Sequence, residues 1–102
     1  AKKSSREVKE GIIDSYIHAN KKLGAVVELL CETDFVARND SFKQLAHDIA
    51  MHVAATKPAT IDELVAQPFI KDQSITVKEL IDQNIAKLGE NIQIGKFEVF
   101  EI

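Results

Sequence analysis

Nothing in this sequence restricts the fold as much as Val26-Val27-Glu28-Leu29-Leu30-Cys31, a run that is almost continuously apolar. A half-buried strand alternates apolar with polar residues, whereas a strand covered on both faces does not. The run therefore predicts a central strand with both faces covered, or one that lies at a subunit contact. A second apolar segment, Ile12 to Ile17, precedes it, and Asn20-Lys21-Lys22 with Gly24 separates the two. Two apolar segments around such a polar, glycine-containing stretch predict a β-hairpin.

The rest of the chain supplies helices and one more strand. Phe42, Leu45, Ala46, Ile49, Ala50 and Val53 recur at the spacing of a helix with one buried face between Asn39 and Ala55. Asn39 or Asp40 can cap its start, and Pro58 stops it. Thr60-Ile61-Asp62-Glu63 is a capping box for a short helix that ends before Pro68. A second box, Thr76-Val77-Lys78-Glu79, opens a helix with Val77, Leu80, Ile81, Ile85 and Leu88 on one side and Gly89 as its C-terminal cap. After it, Ile92 and Ile94 alternate in one phase and Phe97 and Val99 in the other, which predicts a bulge or bend at Gly95 in a third strand. The expected fold is α+β, a small antiparallel three-stranded sheet packed against helices.

With 102 residues the chain has room for one core and not for two. Its 13 basic and 16 acidic residues leave a net charge of -3, the wrong sign for a broad phosphate-neutralising surface, so direct nucleic-acid binding is not expected. The basic lead Lys2-Lys3-Ser4-Ser5-Arg6 could touch nucleic acid or an acidic partner, but three charges on such a stretch read as a solvated linker. No apolar run approaches the roughly 18 residues of a membrane span, and the start carries no signal-peptide pattern. A single cysteine, Cys31, rules out an internal disulfide framework and fits a reducing, cytoplasmic setting.

Residues that could do covalent chemistry are sparse. No nucleophile with a base and no apolar cluster of carboxylates is evident, and the four glycines are scattered rather than gathered into a phosphate loop. No enzyme and no cofactor are expected. His47 and His52 share a predicted helix with Asp48, yet they are five apart, whereas helical metal pairs need three or four. They read as solvated or interfacial histidines, with Asp48 and His52 close enough to pair on the helix surface. Cys31, inside an apolar strand, reads as an inert buried thiol.

What remains is Thr33-Asp34-Phe35-Val36, where the apolar strand gives way to a helix. One reading is local, with Thr33 or Asp34 capping a turn and Phe35 dropping into the core. The other makes a rigid strand-to-helix corner that presents a bulky apolar wedge beside a carboxylate, as an interface hot spot does.

The longer run Cys31-Glu32-Thr33-Asp34-Phe35-Val36-Ala37-Arg38-Asn39 resembles the signature of the elongation factor Ts family. Glu10-Gly11-Ile12-Ile13 with Tyr16-Ile17-His18 resembles its first core strand, and Ala46 to Ala55 its helix. Gln67-Pro68-Phe69 resembles a later loop, and Lys87-Leu88-Gly89-Glu90-Asn91-Ile92 the element before the last strand. The resemblance implies a core and dimerisation domain over residues 10–102, with residues 1–9 a linker after a missing N-terminal helical module. It also implies that longer relatives carry a helical hairpin between the helix ending near Pro58 and the loop at Gln67, replaced here by a short bridge.

By the same resemblance the chain is a guanine-nucleotide exchange factor for elongation factor Tu, releasing GDP from that GTPase. Asp34 and Phe35 correspond to the pair that enters the GTPase near its magnesium and phosphate site, with Leu88 and Gly89 near that contact. His18 corresponds to a histidine that faces another domain of the partner in the second half of relatives with a duplicated core. A homodimer of this chain would supply both surfaces. The alternative is a structural or dimerisation module without exchange activity.

Overall fold

The computed structural model describes residues 5–102; Ala1 to Ser4 of the expected linker lie outside the described residues. Strand β1 (Glu10–Ile17) turns through residues 18–22 into β2 (Leu23–Cys31). The turn is closed by the Lys21 amide donating to the His18 carbonyl at 2.9 Å and the His18 amide donating to the Leu23 carbonyl at 2.8 Å. The antiparallel register sets Glu10 opposite Cys31 and Ile17 opposite Gly24. Helices α1 (Asp34–Ala37), α2 (Asp40–Thr56) and α3 (Ile61–Ala66) follow. A short pair, β3 (Pro68–Phe69) and β4 (Asp72–Thr76), leads into α4 (Val77–Leu88), and β5 (Gln93–Glu101) returns to pair with β2.

The main sheet has the order β1-β2-β5, so β2 is central as its composition requires. The two-stranded sheet β3-β4 is an addition to the expected three-stranded architecture. Side chains alternate across a strand, and β2 sends Ala25, Val27, Leu29 and Cys31 into the core. Phe42, Leu45, Ala46, Ile49, Ala50 and Val53 of α2 cover that face, all buried. The opposite face of β2, with Val26, Glu28 and Leu30 half-buried, has no helix over it among the described residues. The expectation of cover on both faces is thus not met among the described residues, which leaves the alternative of a subunit contact open. On that open face Ile13, Ile17 and Phe100 are 70%, 57% and 61% exposed.

In β5 the predicted slip is a bulge. Val27 pairs with Phe97 but Leu29 pairs with Ile94, so one extra residue sits on β5 near Gly95. The bulge lets Ile94 and Phe97 both face the core despite their odd spacing. The Lys96 amide, displaced from the ladder, donates to the Glu28 carboxylate at 3.1 Å.

Two local expectations are corrected. Thr60 caps α3, but Glu63 turns its carboxylate to the Ala59 amide at 2.8 Å, one residue before the cap, so the box is not reciprocal. His52 is neither solvated nor paired with Asp48: it is fully buried, and Asp48 takes Lys71 at 3.1 Å and Gln44 at 2.9 Å instead. His52 Nδ1 accepts from the Ile70 amide at 3.2 Å, which puts the ring proton on Nε2, 2.8 Å from Gln67 Oε1. The imidazole fastens the β3-β4 segment to α2.

Candidate functional site

At the exit of β2 the chain must leave a buried strand and enter a helix within two residues. Cys31 ends the strand fully buried, its Sγ donating to the Thr33 carbonyl at 3.3 Å. Burial first, and then the Glu90 charge, pushes its thiol up to about 11. It stays protonated and makes a poor nucleophile.

Helix α1 is a single turn, which has no stability of its own, since nucleation fixes several residues for one hydrogen bond. Its conformation is set by what surrounds it. Thr33 is extended (φ -129°, ψ 158°) and caps the turn, its hydroxyl accepting from the Val36 amide at 3.4 Å. Val36 and Ala37 are buried, which turns Asp34 and Phe35 outward. Phe35 is 83% exposed, so the reading in which its ring drops into the core does not hold. Sheltering such a ring is worth about 1.5–3 kcal/mol, a stabilisation the free chain forgoes at this position. The Asp34 carboxylate pairs with Arg38 Nε at 3.0 Å, an exposed contact that contributes little to stability.

Opposite the corner, α4 ends at Gly89, whose φ of 80° a side chain would resist. The chain there presents Glu90 to the strand exit. Glu90 Oε1 accepts from the Glu32 and Thr33 amides, both at 3.0 Å, and Oε2 accepts from the Thr33 hydroxyl at 2.6 Å. Glu32 answers in the other direction, its Oε2 accepting from the Asn91 amide at 2.6 Å. The buried Asn91 side chain donates to the Arg6 carbonyl at 2.6 Å, and the Arg6 guanidinium lies 3.8 Å from Glu32. Lys87 in the last turn of α4 donates to the Ser41 hydroxyl at 3.0 Å in the first turn of α2.

Thr33, Asp34, Phe35 and Val36 are therefore at one end of the sheet with Gly89 beside them, exposed, and Leu88 half-buried behind it. His18 is not brought to them. It follows β1 at the opposite end, since Cys31 lies across from Glu10 and Gly24 from Ile17. The seven steps from Glu10 to Ile17 span roughly 23 Å at about 3.3 Å per residue. There the Tyr16 hydroxyl and His18 Nδ1 are 3.1 Å apart, and the His47 ring lies edge-on to the Tyr16 ring with centroids 6.2 Å apart, its Nδ1 3.5 Å from Asp14. These side chains are partly or fully exposed. Among the described residues no group of three His, Cys, Asp or Glu side chains could hold a metal ion, and no helix is long and apolar enough to cross a membrane.

Glu32, Glu90 and Asn91 lie within the runs that carry the family resemblance, but nothing in the sequence marks them together for this role. A glutamate directly after a helix-capping glycine is the one local sign of a latch, and nothing in the spacing joins position 90 to positions 32 and 33.

The fold and this corner define an α+β domain that holds an exposed aromatic side chain on a fastened strand exit. The pattern of the family described as Elongation factor TS matches residues 32–102. An elongation factor Ts of Fervidobacterium nodosum is 40% identical over 147 residues, covering 100% of this chain and 75% of that protein. One from Synechococcus sp. (strain JA-3-3Ab) is 40% identical over 146 residues, covering 98% of this chain and 52% of its own length. One from Nostoc sp. (strain PCC 7120) is 46% identical over 101 residues, 99% of this chain and 32% of that protein. The chain belongs to the elongation factor Ts family. It spans about half the length of the first Synechococcus relative and about three quarters of the Fervidobacterium one. The matches over 146 and 147 residues exceed the 102 residues here, so those relatives carry additional residues inside the matched span.

Proposed function

We propose that the chain is a guanine-nucleotide exchange factor that binds elongation factor Tu and promotes GDP release during translation elongation in the cytoplasm. The observation that carries this reading, beside family membership, is the exposed Phe35 on a corner fastened by Glu90 and Asn91. Asp34 and Phe35 enter the GTPase, Thr33 and Val36 hold them, and Leu88 and Gly89 flank the contact. His18, at the far end of the hairpin, meets another part of the partner.

Exchange of this kind makes and breaks no covalent bond and needs no cofactor, so the reading calls for neither nucleophile nor metal. The factor binds the nucleotide-free GTPase more tightly than the GDP-bound one, and by linkage factor and GDP weaken each other equally. A phenyl ring that displaces partner side chains near the phosphates, with a carboxylate next to it, disturbs nucleotide contacts while its own burial offsets their loss. Phe35→Ala should remove on the order of 2 kcal/mol of that coupling, about thirty-fold in stimulated GDP release. Release of a fluorescent GDP analogue from elongation factor Tu measures it; a folded variant that stimulates as well as the parent would exclude the wedge.

One observation favours a second activity in the same chain. The uncovered sheet face bearing Ile13, Ile17 and Phe100 suits a second copy, and a homodimer would set a His18 surface from one copy and a Phe35 corner from the other in one assembly. Sedimentation that stays monomeric at high concentration counts against it.

A further inference from the structure

We propose that Glu90 is a positioning residue for exchange: its carboxylate latches the β2 exit and thereby sets the direction in which the Phe35 ring is presented. The inference rests on the reading of Phe35 as the docking anchor and adds the residue that makes the anchor rigid.

A one-turn helix cannot hold its own shape, and the Thr33 cap bond is long at 3.4 Å. A threonine hydroxyl has one hydrogen and two lone pairs, so its value as a cap depends on where the hydrogen points. Glu90 Oε2 takes that hydrogen at 2.6 Å, which leaves the lone pairs for the Val36 amide. Glu90 Oε1 meanwhile accepts from two successive amides, Glu32 and Thr33, neither of which has a β-ladder partner. Hydrogen bonds to an ionised acceptor are stronger than neutral ones, and three of them converge from one carboxylate on two residues. Glu32 returns the bond to the Asn91 amide, so a slide of the corner breaks bonds in both directions.

The latch also joins elements that are distant in sequence. Glu90 follows the Gly89 cap of α4, and α4 is tied to the start of α2 through Lys87 and Ser41. The Phe35 ring is thus referenced to the helix layer as well as to the strand that carries it. A docking anchor fixed before contact loses less freedom on binding than one that must be ordered.

The test uses the full chain with Glu90→Ala, Glu90→Gln, Phe35→Ala and the Glu90→Ala/Phe35→Ala double variant. Amide hydrogen exchange, read without any partner, reports the latch directly. In Glu90→Ala the Glu32 and Thr33 amides should lose protection about tenfold or more while the amides of β2 keep theirs. Stimulated GDP release should fall about tenfold in Glu90→Ala. Glu90→Gln, which keeps one carbonyl oxygen for the two amides, should recover most of it. In the Phe35→Ala background Glu90→Ala should add almost nothing, because a residue acting only through Phe35 has no effect once the ring is gone. Additive losses would overturn the proposal and make Glu90 a direct contact. Protection lost across the whole sheet would overturn it as well, in favour of general destabilisation. If Phe35→Ala alone matches the parent, the docking reading and Glu90's part in exchange both fall, while local amide protection still decides whether Glu90 holds the corner.

Discussion

His52 shows how far a single polar residue can be from what helical periodicity suggests. It lies three residues after Ile49 and one before Val53, inside the stripe that α2 turns to the core, but a pattern scored on apolar residues passes over it. Burial holds its imidazole below the ordinary value of 6.5, against a smaller upward pull from Gln67. The folded chain therefore binds fewer protons than the unfolded chain once the pH falls through 6.5. Stability is fully present above that value and is lost progressively down to the lowered folded value, at no more than about 1.4 kcal/mol per pH unit. Protonation would also turn Nδ1 into a donor facing the Ile70 amide. Urea unfolding at a series of pH values from 7 downward should thus fall more steeply for the parent than for His52→Gln; parallel slopes would show that His52 does not titrate on unfolding. Phe35 taught the opposite lesson. Its residue type favours the core, and only the burial of its neighbours Val36 and Ala37 explains why the ring is outside.

At the scale of elements, the helix starts were legible because capping is local chemistry. Thr76 and Glu79 exchange both bonds, the Thr76 amide donating to the Glu79 carboxylate at 2.8 Å and the Glu79 amide to the Thr76 hydroxyl at 3.1 Å. Thr60 makes only the second kind, at 3.1 Å, and its helix is half as long as α4. Thr76→Ala should therefore cost about 1 kcal/mol of unfolding free energy, and Thr60→Ala less. Denaturant midpoints compare the two directly, and a larger loss at Thr60 would contradict the ranking. The bulge at Gly95 was legible for a similar reason, since a slip in a period of two shows in the sequence itself. The β3-β4 pair was not. Pro68–Phe69 is two residues long, and Asp72, Gln73 and Ser74 are all exposed, so no alternation marks a strand; the pair is held by His52 and its neighbours from outside.

The apolar run Val26 to Cys31 reads in the sequence as a central strand covered on both faces or as one at a subunit contact, and in the sheet it is central. Val26 and Leu30 are the residues that call for cover on the second face, and among the described residues only the first face is covered. The latch at Glu90 was equally hidden, because it joins positions 57 and 58 residues apart. If the open face is completed by a second copy, a substitution there should break self-association without harming the monomer. Ile13 is 70% exposed and pairs directly across from Glu28 in the ladder. Lysine at position 13 would place a cation opposite that carboxylate, a favourable cross-strand pair in the free monomer. In a dimer the same ammonium would have to be stripped of water between two sheets, and burying a charge costs far more than a surface pair returns. Ile13→Lys should leave the unfolding free energy within about 0.5 kcal/mol of the parent, as surface changes do. It should weaken dimerisation by about tenfold or more, read by sedimentation over a concentration series. If the variant associates as strongly as the parent, the open sheet face is not where two copies meet.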